Sequence, residues 1–135
     1  VMVGTLDGTQ TQILNLLTGT TDDMVYFVEE KNMLLERVGI HMGVDIAQDG
    51  AVTLRADIHL TVKPLTSAPD PQEVREKFLS DLTGLISTCQ ALQTDPFGFA
   101  LLAASQFDTV PEWSAFLWPE RFAQATLALD VHIIM

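Results

Sequence analysis

The sequence predicts an α+β fold: a mostly antiparallel sheet of about four strands with helices packed on one face, in the order α-β-β-β-α-α-β. Three observations carry this. Val38, Ile40, Met42, Val44 and Ile46 fill every second position of one run, and Val52, Leu54, Ala56, Ile58, Leu60 and Val62 do so in the next. Ala125, Leu127, Leu129, Val131 and Ile133 repeat the pattern near the end. Between them, Val74, Phe78, Leu82, Leu85, Ile86, Cys89 and Leu92 recur at helical spacing. Period two sends alternate side chains to opposite sheet faces, and period 3.6 lines one side of a helix. Strands apolar on one side need helices on that side alone.

The elements follow in order. Thr9–Leu17 is a helix, capped by Asp7 or Thr9, with Ile13, Leu14 and Leu17 as its apolar stripe and Gly19 just past its end. Met24–Val28 is short, apolar and aromatic, and reads as a strand. The next two strands are the alternating runs, joined by Gln48-Asp49-Gly50. A three-residue loop with Gly50 in the left-handed region keeps both apolar sets on one face. Ile46 then faces Val52, Val44 faces Leu54, Ile40 faces Ile58, and His41 lies opposite Asp57. A two-residue Asp-Gly turn would slip the register by one and set apolar against polar side chains.

Residues 64–71 form a turn-rich connection. Asp70 then caps the long helix, with Pro71 at its first position and Glu73 placed for a capping box. Asp95-Pro96 caps a second helix running through Phe97, Leu101 and Leu102 toward Phe107. Val110-Pro111-Glu112 opens a short turn carrying Trp113, Phe116, Leu117 and Trp118, stopped by Pro119. The last alternating run is the final strand.

The chain has 135 residues, 47% of them hydrophobic and 19% charged. That suits one ordered domain over 1–135, burying roughly two thirds of its unfolded surface. Seven Lys+Arg against 18 Asp+Glu give a net charge of -11. Phosphate backbones and anionic headgroups attract clustered Lys and Arg, so the reading is no nucleic acid and no direct membrane insertion. No apolar run approaches the ~20 residues of a membrane span. Cys89 is the single cysteine, which excludes an internal disulfide, and its apolar helical setting makes it a buried, inert thiol. Val1 at the start and a strand running to Ile134-Met135 suggest a domain cut from a longer protein.

His41, His59 and His132 all fall on polar strand positions, as do Asp45, Asp57 and Asp130. If the final strand lies beside the hairpin, His41, Asp57, His59 and His132 share one face. Histidines with a carboxylate suit zinc. The spacing matches no short ligand motif, and the reading carried forward is a solvated face with cross-strand pairing such as His41–Asp57. The sequence therefore calls for no metal, no cofactor and no catalytic residue. Glu29-Glu30-Lys31 and Leu35-Glu36-Arg37 read as solvated charges. Trp113, Phe116 and Trp118 read as core or lid packing.

The order of these motifs resembles the C-terminal domain of the spore germination protein C family, Ger(x)C, the lipoprotein subunits of nutrient germinant receptors. Four places carry the resemblance. They are Leu6 with Ile13-Leu14-Asn15-Leu16-Leu17-Thr18-Gly19; the strand Val52–Val62; Asp95-Pro96-Phe97-Gly98-Phe99; and Trp113 followed by Trp118-Pro119-Glu120-Arg121-Phe122 and Leu129-Asp130-Val131-His132-Ile133. The family's last strand runs on into basic residues, whereas here the sequence ends at Ile134-Met135, that tail being missing or trimmed, and Cys89 is not its lipid-bearing cysteine. The resemblance implies a non-catalytic domain at the end of a longer lipoprotein, anchored at the spore inner membrane. Its implied partners are the integral-membrane A and B receptor subunits, and its implied role is receptor assembly in nutrient-triggered germination. The alternative is a free-standing binding module using the polar sheet face or the segment Trp113–Trp118.

Overall fold

The computed structural model describes residues 8–93 and 95–134. Leu6, Met135 and the proposed Asp7 cap lie outside the described residues. The order is α1 (Gly8–Thr18), β1 (Asp23–Val28), β2 (Lys31–Ile46), β3 (Val52–Pro64), α2 (Pro71–Ala91), α3 (Phe99–Ala104), α4 (Val110–Phe116), α5 (Trp118–Ala123) and β4 (Thr126–Ile134). The strands form one sheet in the order β1-β2-β3-β4. β1–β2 and β2–β3 are antiparallel, and β3–β4 is parallel. The α+β class and the one-sided helical cover agree with the sequence.

The hairpin register is the one the alternation requires. Ile46 pairs with Val52, Val44 with Leu54, Ile40 with Ile58 and His41 with Asp57. Gly50 takes φ 86°, and its N–H donates to Ala47 O at 2.9 Å. The Ala51 N–H donates to Asp49 Oδ1, which locks the loop.

Three expectations need correcting. First, β2 begins seven residues before the alternating run. Met33 and Leu35 are fully buried at odd positions, whereas Ile40, Met42, Val44 and Ile46 turn inward at even ones. A register shift between Arg37 and Gly39 reconciles them. An extra residue in one strand reverses its parity. Val38 is that residue and is 59% exposed rather than core. Leu35-Glu36-Arg37 is thus a strand segment with a buried leucine, not a run of solvated charges. Glu36 pairs with Lys63 at 2.8 Å and Arg37 with Asp22 at 3.2 Å.

Second, the stretch after Val110 is two short helices. Leu117 adopts φ 58°, ψ 58° and breaks the chain there. Pro119 does not stop a helix but stands in the first turn of α5, where its missing N–H costs nothing. Third, Thr9 lies inside α1 rather than capping it.

Asp70 caps α2 as the sequence requires, whereas the second helix is shorter than expected: α3 spans Phe99–Ala104, not Phe97 toward Phe107, with Gly98 at its N-cap. Asp70 Oδ1 accepts from the Gln72 N–H at 3.0 Å. Asp95 reaches across the Pro96-Phe97-Gly98 turn and accepts from Phe99 N–H at 3.2 Å and Ala100 N–H at 2.6 Å. Gly98, at φ 84°, makes that turn.

The core lies between the inner sheet face and the helices. Ile13 and Leu16 of α1, Val74, Phe78, Leu82 and Leu85 of α2, Phe99 of α3 and Phe122 of α5 meet Leu54, Ile58 and Leu60 of β3. Tyr26 of β1 is buried, and its hydroxyl makes a short hydrogen bond to Asp81. Burial first, then Asp81, raises its pKa far above the ordinary tyrosine value, so it stays protonated.

Cys89 is 2% exposed, and burial raises its thiol pKa, with the Asp95 charge adding to this. The nucleophilic thiolate is therefore doubly disfavoured. In native protein, Ellman's reagent is expected to leave Cys89 unmodified until denaturant is added. Rapid stoichiometric release of thionitrobenzoate without denaturant would place the thiol at the surface instead.

Candidate functional site

The outer sheet face carries polar residues in registered rows. One row runs His41, Asp57, Asp130 across β2, β3 and β4, and the next runs Gly39, His59, His132. Parallel pairing of β3 and β4 sets the two histidines directly side by side. Their rings stack at 4.4 Å between centroids with 12° between planes. Both Nε2 atoms approach one carboxylate: His132 Nε2 is 2.8 Å from Asp57 Oδ1, and His59 Nε2 is 3.6 Å from Asp57 Oδ2. His132 Nε2 is also 3.3 Å from Asp130 Oδ2. Asp57 Oδ1 is buried and has no hydrogen-bond donor, although His132 Nε2 stands 2.8 Å away. Asp57, His59 and His132 thus offer three ligand atoms lying within 4.8 Å of one another.

Of the four residues that the sequence put on one face, the structure brings three together. His41 holds its predicted position opposite Asp57 but stands outside the cluster. The contacts of the Asp57 carboxylate run along the sheet to His59 and His132. Asp45, also on this face, pairs with Arg55 at 2.5 Å. Gly43, opposite Arg55, lacks the Cβ that would run into the guanidinium.

One residue here had no sequence signal. Arg75 of α2 reaches around the sheet edge, donating from Nε to Val131 O at 2.9 Å and from a terminal nitrogen to Asp130 Oδ1 at 2.9 Å. Its hydrogen bond is the main cause of the lowered Asp130 pKa; burial opposes it, and the His132 charge adds a lesser lowering. It also occupies a backbone acceptor of the edge strand β4, which would otherwise be open to another chain. Arg75 lies beside the helix's apolar stripe, and only the placement of β4 makes it part of this face.

The aromatic segment behaves as packing. Phe107, Trp113, Phe116, Trp118 and Phe122 form a chain of ring contacts with centroids 5.0–6.3 Å apart. Trp118 and Phe122 are buried, and Trp113 and Phe116 are half-buried against them. Arg121 lies over the Phe116 ring and reaches Gly50 O at 3.4 Å, tying α5 to the hairpin loop.

A groove of about 710 Å³ opens on the helical side between α1, β2 and α3, lined by Leu17, Arg37, Ile40, Phe97, Leu101 and Leu102 among others. Leu101 is 78% exposed at its rim. Sequence reasoning missed the groove because it exists only where two helices fail to meet over the sheet. No helix among the described residues is long and apolar enough to cross a membrane.

The family described as spore germination B3/GerAC-like, C-terminal, matches residues 1–135, the whole chain. The chain belongs to that family. The GerAC-like domain is also similar to the crystal structure of the GerBC protein, with a TM-score of 0.70 at 17% identity. That match covers 98% of this chain but 47% of the GerBC chain, so the domain spans about half the length of that relative. At this identity the likeness speaks to fold. No curated protein matches the chain. The resemblance read from the motif order is therefore borne out at the level of family and of fold.

Proposed function

We propose that this domain is the C-terminal part of a germinant-receptor C subunit, acting without catalysis in receptor assembly and nutrient-triggered germination. The observation that carries this is the family match over the entire chain. The reading places the parent protein at the spore inner membrane, held by a lipid anchor on an N-terminal portion. Its partners are the integral-membrane A and B subunits. The acidic balance of the chain, -11, suits a domain held beside an anionic membrane rather than on it. The aromatic segment packs into the core, which leaves the reading as a free-standing module built on Trp113–Trp118 with the weaker support.

The test removes this domain from the full-length subunit in spores and follows the truncated protein by an N-terminal tag. The expected result is a truncated subunit still present in membranes, A and B subunits lost from the receptor, and no response to nutrients. Normal A and B levels with a normal nutrient response would overturn the proposal.

A further inference from the structure

We propose that Asp57, His59 and His132 form a binding site for a zinc-type divalent transition-metal cation on the outer sheet face. Three features support it. Adjacent, parallel strands fix two imidazoles side by side, and both direct Nε2 toward one carboxylate. The basic residues nearby are engaged elsewhere, Arg55 with Asp45 and Arg75 with Asp130, so among the described residues the ion-pair partners of Asp57 are the two histidines. Its buried Oδ1 has no hydrogen-bond donor although an imidazole nitrogen stands 2.8 Å away.

That close approach defines the ligand. Two imidazolium rings stacked at 4.4 Å would repel each other. Two neutral rings in the tautomer that leaves Nε2 unprotonated would set nitrogen lone pairs beside a carboxylate oxygen. One cation between the three groups resolves both conflicts. Tetrahedral zinc with nitrogen and oxygen ligands at 2.0–2.1 Å sets those ligands about 3.3 Å apart. The three atoms already lie within 4.8 Å, and side-chain rotation in half-exposed residues closes the remainder without moving the strands. Two imidazoles select zinc, nickel or copper over magnesium and calcium, which prefer all-oxygen shells. Asp130 Oδ2, at the edge of the cluster, adds negative charge.

The test titrates zinc into the 135-residue chain by calorimetry at pH 7.5. The variants are His59→Gln, His132→Gln, Asp57→Asn and, as control, His41→Gln. Circular dichroism and the thermal midpoint check that each variant folds. The expected result is one zinc per chain and no binding of magnesium. Each cluster substitution should weaken zinc binding by more than the roughly 10–100-fold typical of outer-shell changes. His41→Gln should keep wild-type affinity. Absence of one-to-one binding would overturn the proposal. So would binding that survives the cluster substitutions, or that His41→Gln weakens equally. None of these results depends on the germination role, which the spore experiment tests separately.

Discussion

Replacing Phe78 with alanine is expected to destabilise the domain by about 3–5 kcal/mol, the range for truncating a fully buried phenylalanine. The side chain is 0% exposed at the middle of the α2 stripe. It meets the Tyr26 ring edge-on at 5.9 Å between centroids, joining the long helix to β1. The truncation therefore loses transfer energy and opens a cavity between helix and sheet that neither element can collapse to fill. Urea denaturation followed by circular dichroism measures it. A change below about 1 kcal/mol would mean that α2 does not seat its stripe on the sheet, since so small a loss suits an exposed position.

The second large effect is at Gln90, the buried polar residue of α2. Its Nε2 donates to Phe122 O and Ala125 O, each at 2.9 Å. One amide thereby satisfies the end of α5 and the entry to β4. Gln90→Leu removes this donor from both carbonyls, leaving the buried Phe122 O with only the Ala125 N–H at 3.2 Å and the part-buried Ala125 O without the amide. Losing hydrogen bonds at such acceptors costs about 1–3 kcal/mol. Gln90→Glu is more informative. A carboxylate facing two carbonyls can donate only when protonated, so its folded pKa would rise above its unfolded value. Protonation then favours the folded state: the variant's stability is retained at low pH and lost as pH rises above the ordinary glutamate range. Chemical denaturation at pH 4.5 and pH 7.5 reads this out. Wild-type stability for Gln90→Leu, together with a pH-independent Gln90→Glu, would show that this amide does not hold the α5–β4 connection.

The contrast between these residues shows where sequence reasoning reached and where it stopped. Phe78 could be placed in the core from spacing alone, because a helical stripe announces which side is buried. Gln90 sits on the same helix, yet nothing local marks it as buried. Its partners lie 32 and 35 residues away on carbonyls that converge only after α5 has packed. The same holds at the outer face. Alternation assigned His41, Asp57, His59 and His132 to polar positions, and the hairpin loop fixed His41 opposite Asp57. Which histidines meet depended on how β4 pairs. Parallel pairing on β3 sets His132 beside His59 and leaves His41 one strand away. Arg75 joins this face for the same reason.

The Val38 bulge shows the limit within a single strand. Alternation read forward from Val38 gave the correct parity for the far half of β2 but concealed the reversal at its start. A bulge changes parity without changing composition, and only the partner strand shows which residue is left over.

The sequence by itself determined the long helix and its apolar face, the strands apart from the first half of β2, the hairpin register and the family. The elements and register follow from periodicity and turn chemistry, which act over a few residues, while the family rests on the order of motifs along the whole chain. Tertiary structure decided the parallel seating of β4, the split of the tryptophan segment into two helices, the burial of Gln90 and the meeting of Asp57, His59 and His132. Those depend on which surfaces remain to be covered once the local elements exist. That is a property of the assembled layers and of no single segment.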